Sequence, residues 1–185
     1  LSSGGLVPVQ SGVAPSVIFS NLPAADYVVQ FGDVPFYQTP PAQTNALVAD
    51  GTLNFSASYT FTDANTNSMA DGFESFYFGA VSTNRTQFTD TDGDGMPDAA
   101  EFIAGTNPTN AASRFYFTGE TAQSNLVQLQ WTVVTSRLSQ VSASTNLQAW
   151  LPVTDWLQAS NAPAMSFTTT NAGDAARFYR VHVQP

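Results

Sequence analysis

Five acidic residues fall within twelve positions, from Asp90 to Glu101, of a chain in which only 10% of residues are charged. They belong to the stretch FTDTDGDGMPDAAEF, residues 88–102. Like charges this close together repel one another unless a cation neutralises them. Carboxylates are hard oxygen ligands, which suit calcium better than zinc or copper.

The spacing of these acids is that of a calcium loop. With Asp90 as position 1, oxygen-bearing groups fall on the EF-hand ligand positions, and Gly95 falls on the turn position between them. Position 7 offers its backbone carbonyl, and the final glutamate offers two oxygens from the first turn of the next helix. We therefore predict a strong calcium site formed by Asp90, Asp92, Asp94, Met96, Asp98 and Glu101.

The chain contains a second copy of this loop. FTDANTNSMADGFE, residues 61–74, aligns with residues 88–101 at a constant offset of 27, with two aspartates replaced by asparagine and the turn glycine by Ser68. Fewer charges should hold an ion more weakly. We predict a second, weaker calcium site formed by Asp63, Asn65, Asn67, Met69, Asp71 and Glu74. The alternative is a vestigial loop held by hydrogen bonds alone.

The second loop lacks an entering helix. VSTNRTQFT, ahead of Asp90, is polar and turn-like, whereas PDAAEFIAG after the ligands predicts a short helix that begins near Pro97 and ends at Gly105. A loop with only its exit helix resembles the calcium repeats of dockerins and of thrombospondin type-3 repeats, and not a calmodulin-type sensor.

The remainder of the chain has the pattern of β-structure. Apolar residues alternate or cluster in short runs bounded by turn residues. The predicted strands are PSVIFS, DYVVQF, NALVA and TLNFSASYTF before the loops, and FYFTGE, LVQLQWTVV, LSQVSAS, WLPVTDWLQA, AMSFTTT and ARFYRVHVQ after them, with a turn at TGETAQSN. The predicted fold is mostly β. Two small antiparallel β-sandwich (Ig/fibronectin-like) modules, residues 1–60 and 114–185, are joined by a tandem EF-hand-like segment, residues 61–113, with short helices and little core of its own.

Both modules resemble parts of secreted bacterial proteins. LPAADYVVQF and YQTP resemble small sandwich modules, while GTNPTNAASRF, LQWTVV, STNLQAW and RFYRVHV resemble the C-terminal β-sandwich that often follows calcium repeats. The resemblance implies a calcium-stabilised extracellular module and does not by itself imply a reaction.

The N-terminal module shows four clear strands, whereas a sandwich commonly has about seven. Modules of this kind carry a further strand ahead of the region where this chain begins. Two explanations stay open. In the first, LSSGGLVPVQ, residues 1–10, is a frayed or trimmed terminus. In the second, the missing strand leaves an apolar groove in the sandwich, and a strand from another chain fills that groove.

Composition argues against most catalytic classes. The chain has no cysteine, no lysine and a single histidine, His182, so triads, zinc hydrolases and Schiff-base enzymes are not expected. The net charge is −9, with five arginines against fourteen acidic residues, so nucleic acid, whose phosphates need basic residues, is not an expected partner. No apolar run approaches the ~20 residues of a membrane span, so membrane insertion is not expected.

The expected function is therefore structural. We expect a non-catalytic, calcium-stabilised extracellular protein, a subunit of a bacterial fibre or cell-surface assembly that self-associates into a homopolymer, with strand complementation as one way to join subunits. The alternative is a carbohydrate-binding or spacer module from the C-terminus of a larger secreted hydrolase or adhesin. In that case Trp150 and Trp156 would stack on a polysaccharide.

Overall fold

The strands lie towards the two ends of the chain and the helices lie between them. The computed structural model describes residues 18–123, 126–159, 164–170 and 176–185. These residues form nine strands and two short helices, which confirms the predicted mostly-β class. The chain divides into two compact units, Leu1–Phe61 and Thr62–Pro185. The helices and the last seven strands belong to the second unit.

The first unit contains one antiparallel pair, β1 (Ala25–Val29) and β2 (Gln43–Leu47). The strand predicted over TLNFSASYTF is wrong, because this segment forms only one bridge, between Gln38 and Thr60. Side chains hold it in place instead of a backbone ladder: the Tyr59 hydroxyl donates to the Gly32 carbonyl, and Gln43 Nε2 donates to the Ser56 carbonyl. In PSVIFS, residues 18–20 are not in a strand, and the rest of that prediction, with residues 1–10, lies outside the described residues.

The second unit contains two sheets. Its strands are β3 (Phe117–Gln123), β4 (Leu126–Thr132), β5 (Leu138–Ser144), β6 (Leu151–Pro152), β7 (Leu157–Gln158), β8 (Ala164–Thr170) and β9 (Phe178–Gln184). One sheet has the order β3-β4-β8, and in the other β5 pairs with β9 along its length. The short strands β6 and β7 pair with the two ends of β5. Strand β3 runs through much of the segment predicted as a turn, because its residues continue to pair with β4 as far as Gln123.

Between β6 and β7, the centre of β5 is also hydrogen-bonded. The Val153 N–H donates to the Val141 carbonyl at 2.9 Å, and the Val141 N–H donates to Thr154 Oγ1 at 3.0 Å. The chain that links the two short strands therefore continues to satisfy the backbone of β5.

The two sheets share one apolar core. Leu129 and Trp131 of β4 and Val141 of β5 are buried in it, and partly buried residues from both sheets, such as Phe167 and Val181, pack around them. Each such side chain contributes about 1.5–3 kcal/mol when fully removed from water. Trp131, which its alternating strand pattern places in the core, has no exposed surface.

The loop segment has a core of its own, contrary to expectation. Its helices are α1 (Asp71–Phe78) and α2 (Asp98–Ala104). Phe73 and Phe102 are both buried, and their ring centroids lie 5.2 Å apart. The expectation was wrong because each short helix supplies one aromatic ring to the same contact.

Helix α2 is tied to the sheets at its C-terminus. The helix ends at Gly105, as predicted, with a left-handed φ of 76°. Arg137, between β4 and β5 and only 2% exposed, donates from Nε to the Ile103 carbonyl at 2.7 Å and from Nη2 to the Phe102 carbonyl at 3.0 Å. A cation at this end of a helix satisfies its last carbonyls and favours its dipole.

Gly105 should tolerate a side chain less well than Gly79, the glycine that ends α1. Both have positive φ, 76° and 80°, so alanine should cost about 1–2 kcal/mol of unfolding free energy at each. A Cβ at Gly105 would also lie 3.2 Å from Arg137 Nε and from Val134 Cγ1, whereas one at Gly79 would meet nothing within 4 Å. We expect Gly105→Ala to cost about 1 kcal/mol more than Gly79→Ala in urea denaturation. Equal losses would show that crowding against Arg137 is unimportant.

Candidate calcium centre

The two loops share a backbone conformation as well as a sequence pattern. Gly93 and Gly95 of the second loop have φ of 75° and 93°, and their counterparts Thr66 and Ser68 in the first loop have φ of 57° and 68°. The internal repeat is therefore a structural repeat. Differences in what the loops bind must come from their side chains.

In the second loop three aspartates converge. Asp90, Asp92 and Asp94 each offer a carboxylate oxygen, and these oxygens lie within 4.8 Å of one another. The two oxygens of Asp90 accept the N–H groups of Gly93 at 2.9 Å and Gly95 at 3.0 Å. These bonds fix the curl of the loop and hold the first carboxylate beside the other two.

Three oxygens of the predicted ligands are buried and have no hydrogen-bond partner: Asp92 Oδ2, Asp94 Oδ2 and Glu101 Oε2. Glu101 has no exposed surface, and its other oxygen accepts the Thr106 hydroxyl at 3.0 Å. An unpaired buried charge is expensive. Asp92 and Asp94 belong to the aspartate cluster, where one hard divalent cation would satisfy both of their oxygens, and Glu101 lies outside that cluster. Carboxylate oxygens are the ligands that calcium takes, so these residues fit calcium.

The electrostatics of Glu101 agree with this fit. Burial raises the pKa of Glu101 to about 7, the hydrogen bond from Thr106 opposes the rise, and the negative charges of Asp92, Asp94 and Asp98 add to it. A bound cation favours the ionised form of a neighbouring carboxyl group and so acts against this rise.

Like Glu101, two further predicted ligands lie outside the cluster of three aspartates. Asp98 is fully buried, but its oxygens accept the Thr91 N–H at 2.8 Å and the Thr91 hydroxyl at 2.7 Å, and it lies outside the aspartate cluster. A residue at this position often reaches calcium through a water. Met96 donates its N–H to Asp94 Oδ1 at 2.7 Å, and its carbonyl as a ligand stays a prediction.

The first loop surrounds its glutamate with nitrogen donors. Glu74 has no exposed surface, and its Oε1 accepts from Arg85 Nη1 at 3.1 Å while its Oε2 accepts from Asn65 Nδ2 at 3.0 Å. Sequence reasoning missed Arg85. The available signal was that it is the single basic residue between residues 61 and 113.

The other predicted ligands of the first loop mostly bond to the loop itself. Asp63 accepts the N–H groups of Asn67 at 3.1 Å and Ser68 at 2.9 Å. Asn67 Oδ1 accepts the Met69 N–H at 3.0 Å, which matches the Asp94–Met96 contact of the second loop.

Asp71 occupies the position that corresponds to Asp98. Its Oδ1 accepts the Ala64 N–H at 2.9 Å, as Asp98 Oδ1 accepts the Thr91 N–H. The structure thus places the six predicted residues in the first loop and on the first turn of α1. A second calcium ion bound by them stays a prediction.

Comparison with known families identifies the second loop. Residues 90–111 match the family model of the bacterial TSP3 repeat, a calcium-binding repeat, which confirms the thrombospondin type-3-like segment predicted from the sequence. The match includes the whole second loop and α2, and neither β-rich region. Neither the search of curated proteins nor that of solved structures gave a significant match. In the part of the chain that the structure describes, no helix has the length and apolar character needed to cross a membrane.

Glu101→Gln should weaken calcium binding, because it removes the buried charge while keeping the shape of the side chain. We expect at least a roughly 10-fold loss of affinity by calorimetry, and a melting temperature in calcium that falls towards the value in EDTA. Glu120→Gln, an exposed change on β3, is the matched control and should alter neither quantity. Unchanged affinity in Glu101→Gln would mean that the ligand set is misassigned.

Proposed function

We propose that this chain is a non-catalytic, calcium-stabilised extracellular structural protein, and a subunit of a bacterial fibre or cell-surface assembly. The observation that carries the proposal is the set of three buried, unpartnered carboxylate oxygens in the second loop, which call for a cation. Extracellular modules work with dissociation constants of roughly 10⁻⁴–10⁻³ M, a range suited to the calcium found outside cells.

A physical path leads from the ion to the sheets. Glu101 lies in the first turn of α2, and the carbonyls at the other end of that helix accept hydrogen bonds from Arg137. A calcium ion that closes the loop would order α2, and α2 would in turn hold the connection between β4 and β5. Binding of the ion to the folded state alone would then stabilise loop and sheets together.

Tryptophan fluorescence can test this path, because all three tryptophans lie within residues 131–156 and none lies in the loops. At a calcium concentration of about 100 times Kd, we expect the unfolding free energy seen by fluorescence to rise by about 2.7 kcal/mol. Arg137→Met keeps an unbranched apolar stem and removes the donors of the guanidinium. It should leave calcium affinity within about threefold but reduce this stabilisation. An equal stabilisation in the variant would exclude Arg137 as the link.

The first unit supports self-association. Within residues 18–61 no side chain is fully buried, and apolar residues such as Val28, Val29 and Phe55 are only half-buried. Apolar side chains that stay this exposed favour the addition of a strand from another chain. We propose that residues 1–10 of a neighbouring copy supply that strand.

Negative-stain electron microscopy tests the assembly directly. We expect filaments of the chain in millimolar calcium and their loss in EDTA. Deletion of residues 1–10 should abolish filaments without changing calcium affinity. Filaments in the deletion variant would exclude strand exchange by this segment. Monodisperse particles in both buffers would exclude the fibre role and favour a spacer from a larger secreted protein.

The carbohydrate-binding alternative gains no support from Trp150. The Arg180 guanidinium lies 4.4 Å from the centre of its ring, and the indole N–H donates to the Leu147 carbonyl at 3.2 Å. One face of the indole is therefore already used within the protein, which leaves at most the other face for a sugar.

A further inference from the structure

Glu74 and Glu101 occupy the same position in the two loops and are equally buried, yet their surroundings differ. Glu101 Oε2 has no partner, whereas both oxygens of Glu74 are bonded. We propose that the Arg85 guanidinium holds the first loop closed in place of calcium, so that the chain binds a single ion, at the second loop.

The donors around Glu74 are incompatible with a calcium cage. Arg85 Nη1 lies 3.1 Å from Oε1, and Asn65 Nδ2 lies 3.0 Å from Oε2, so N–H groups point at the two oxygens that bidentate coordination needs. The orientation of the Asn65 amide is also determined, because Nδ2 donates to the Ser82 carbonyl at 2.9 Å as well. Two acceptors facing one atom require that atom to be the nitrogen.

The first loop leaves fewer buried side-chain oxygens without a partner than the second loop does. Asn65 Oδ1 is the one buried side-chain oxygen there without a partner, against three in the second loop. That oxygen is a neutral amide, whereas the three in the second loop belong to carboxylates. The first loop therefore leaves no unpartnered buried negative charge that a cation would be needed to balance.

Arg85 is held in place by more than one contact. Its guanidinium lies 3.6 Å from the centre of the Phe78 ring, and its side chain is only 17% exposed. Its Nε also lies 3.5 Å from Asp98 Oδ2 in the second loop. A planar, permanently charged group can serve one aromatic face and two carboxylates at once, as a lysine ammonium cannot.

This arrangement makes the two loops unequal in their need for metal. The first loop and α1 carry their own cation and stay folded in EDTA. The second loop depends on calcium, while Asp98 is held in advance between Thr91 and Arg85.

Counting bound ions tests the inference. We expect calorimetric titration with calcium to give one ion per wild-type chain, one for Glu74→Gln with affinity within about threefold, and binding at least about 10-fold weaker than in the wild type for Glu101→Gln. The two substitutions are matched in residue type, loop position and burial. Two ions in the wild type, or residual binding in Glu101→Gln that Glu74→Gln removes, would overturn this inference alone. No binding in the wild type would overturn the proposed calcium function as well.

Removal of the guanidinium tests the same inference through stability. Arg85→Met leaves Glu74 buried and unpaired, so the melting temperature should fall by about 10 °C in EDTA and in calcium alike. Arg180→Met removes the same charge from an exposed position and should change it little. If Arg85→Met does not fold, the double variant Arg85→Met/Glu74→Gln removes both charges and should recover a folded chain that still binds one ion. A melting temperature unchanged by Arg85→Met, or a double variant that binds two ions, would overturn the inference.

Discussion

Two glutamates enter the interior of the loop segment on the first turns of α1 and α2, and each needs a positive charge there. Packing of the two helices brings Phe73 and Phe102 into contact, and the burial of each ring contributes about 3 kcal/mol at most to the stability of the folded segment. The same docking buries Glu74 and Glu101, and an unpaired buried charge costs about as much or more. Apolar packing alone therefore cannot hold this segment together. The first loop has its positive charge in Arg85, whereas the second loop needs a bound calcium ion to fold.

The repeat shows how one backbone serves two kinds of chemistry. The loops have the same pattern of left-handed residues, although the first loop uses Thr66 and Ser68 where the second uses glycine. A left-handed non-glycine residue costs roughly 1–2 kcal/mol, so the first loop retains its curl against strain. The first loop has the amides of Asn65 and Asn67 where the second loop has the carboxylates of Asp92 and Asp94. Arg85 lies beside Glu74 in the first loop. The strained conformation persists because the hydrogen bonds of Asp63 and Asn67 still require it.

Local features of this chain were readable from its sequence, and contacts between distant residues were not. The limits of α2 followed from Pro97 and Gly105, because helix ends are set by neighbouring residues. Alternation at residues 52–61 predicted a strand that does not form, since alternation reports one-sided burial and says nothing of a partner strand. The ion pair between Arg85 and Glu74 joins residues eleven positions apart across a turn, and no periodic pattern marks such a pair.

Strand β5 has consequences for how copies of this protein can meet. One edge pairs with β9, and the other is occupied by β6, β7 and the bonds of Val153 and Thr154. The outermost strands on this side, β6 and β7, are only two residues long, and β6 contains Pro152, which has no backbone N–H to donate. This margin of the sheet is thus protected against unwanted growth by edge-to-edge aggregation. Two-residue strands, one of them with a proline, offer no continuous row of N–H and C=O groups on which a further strand could pair.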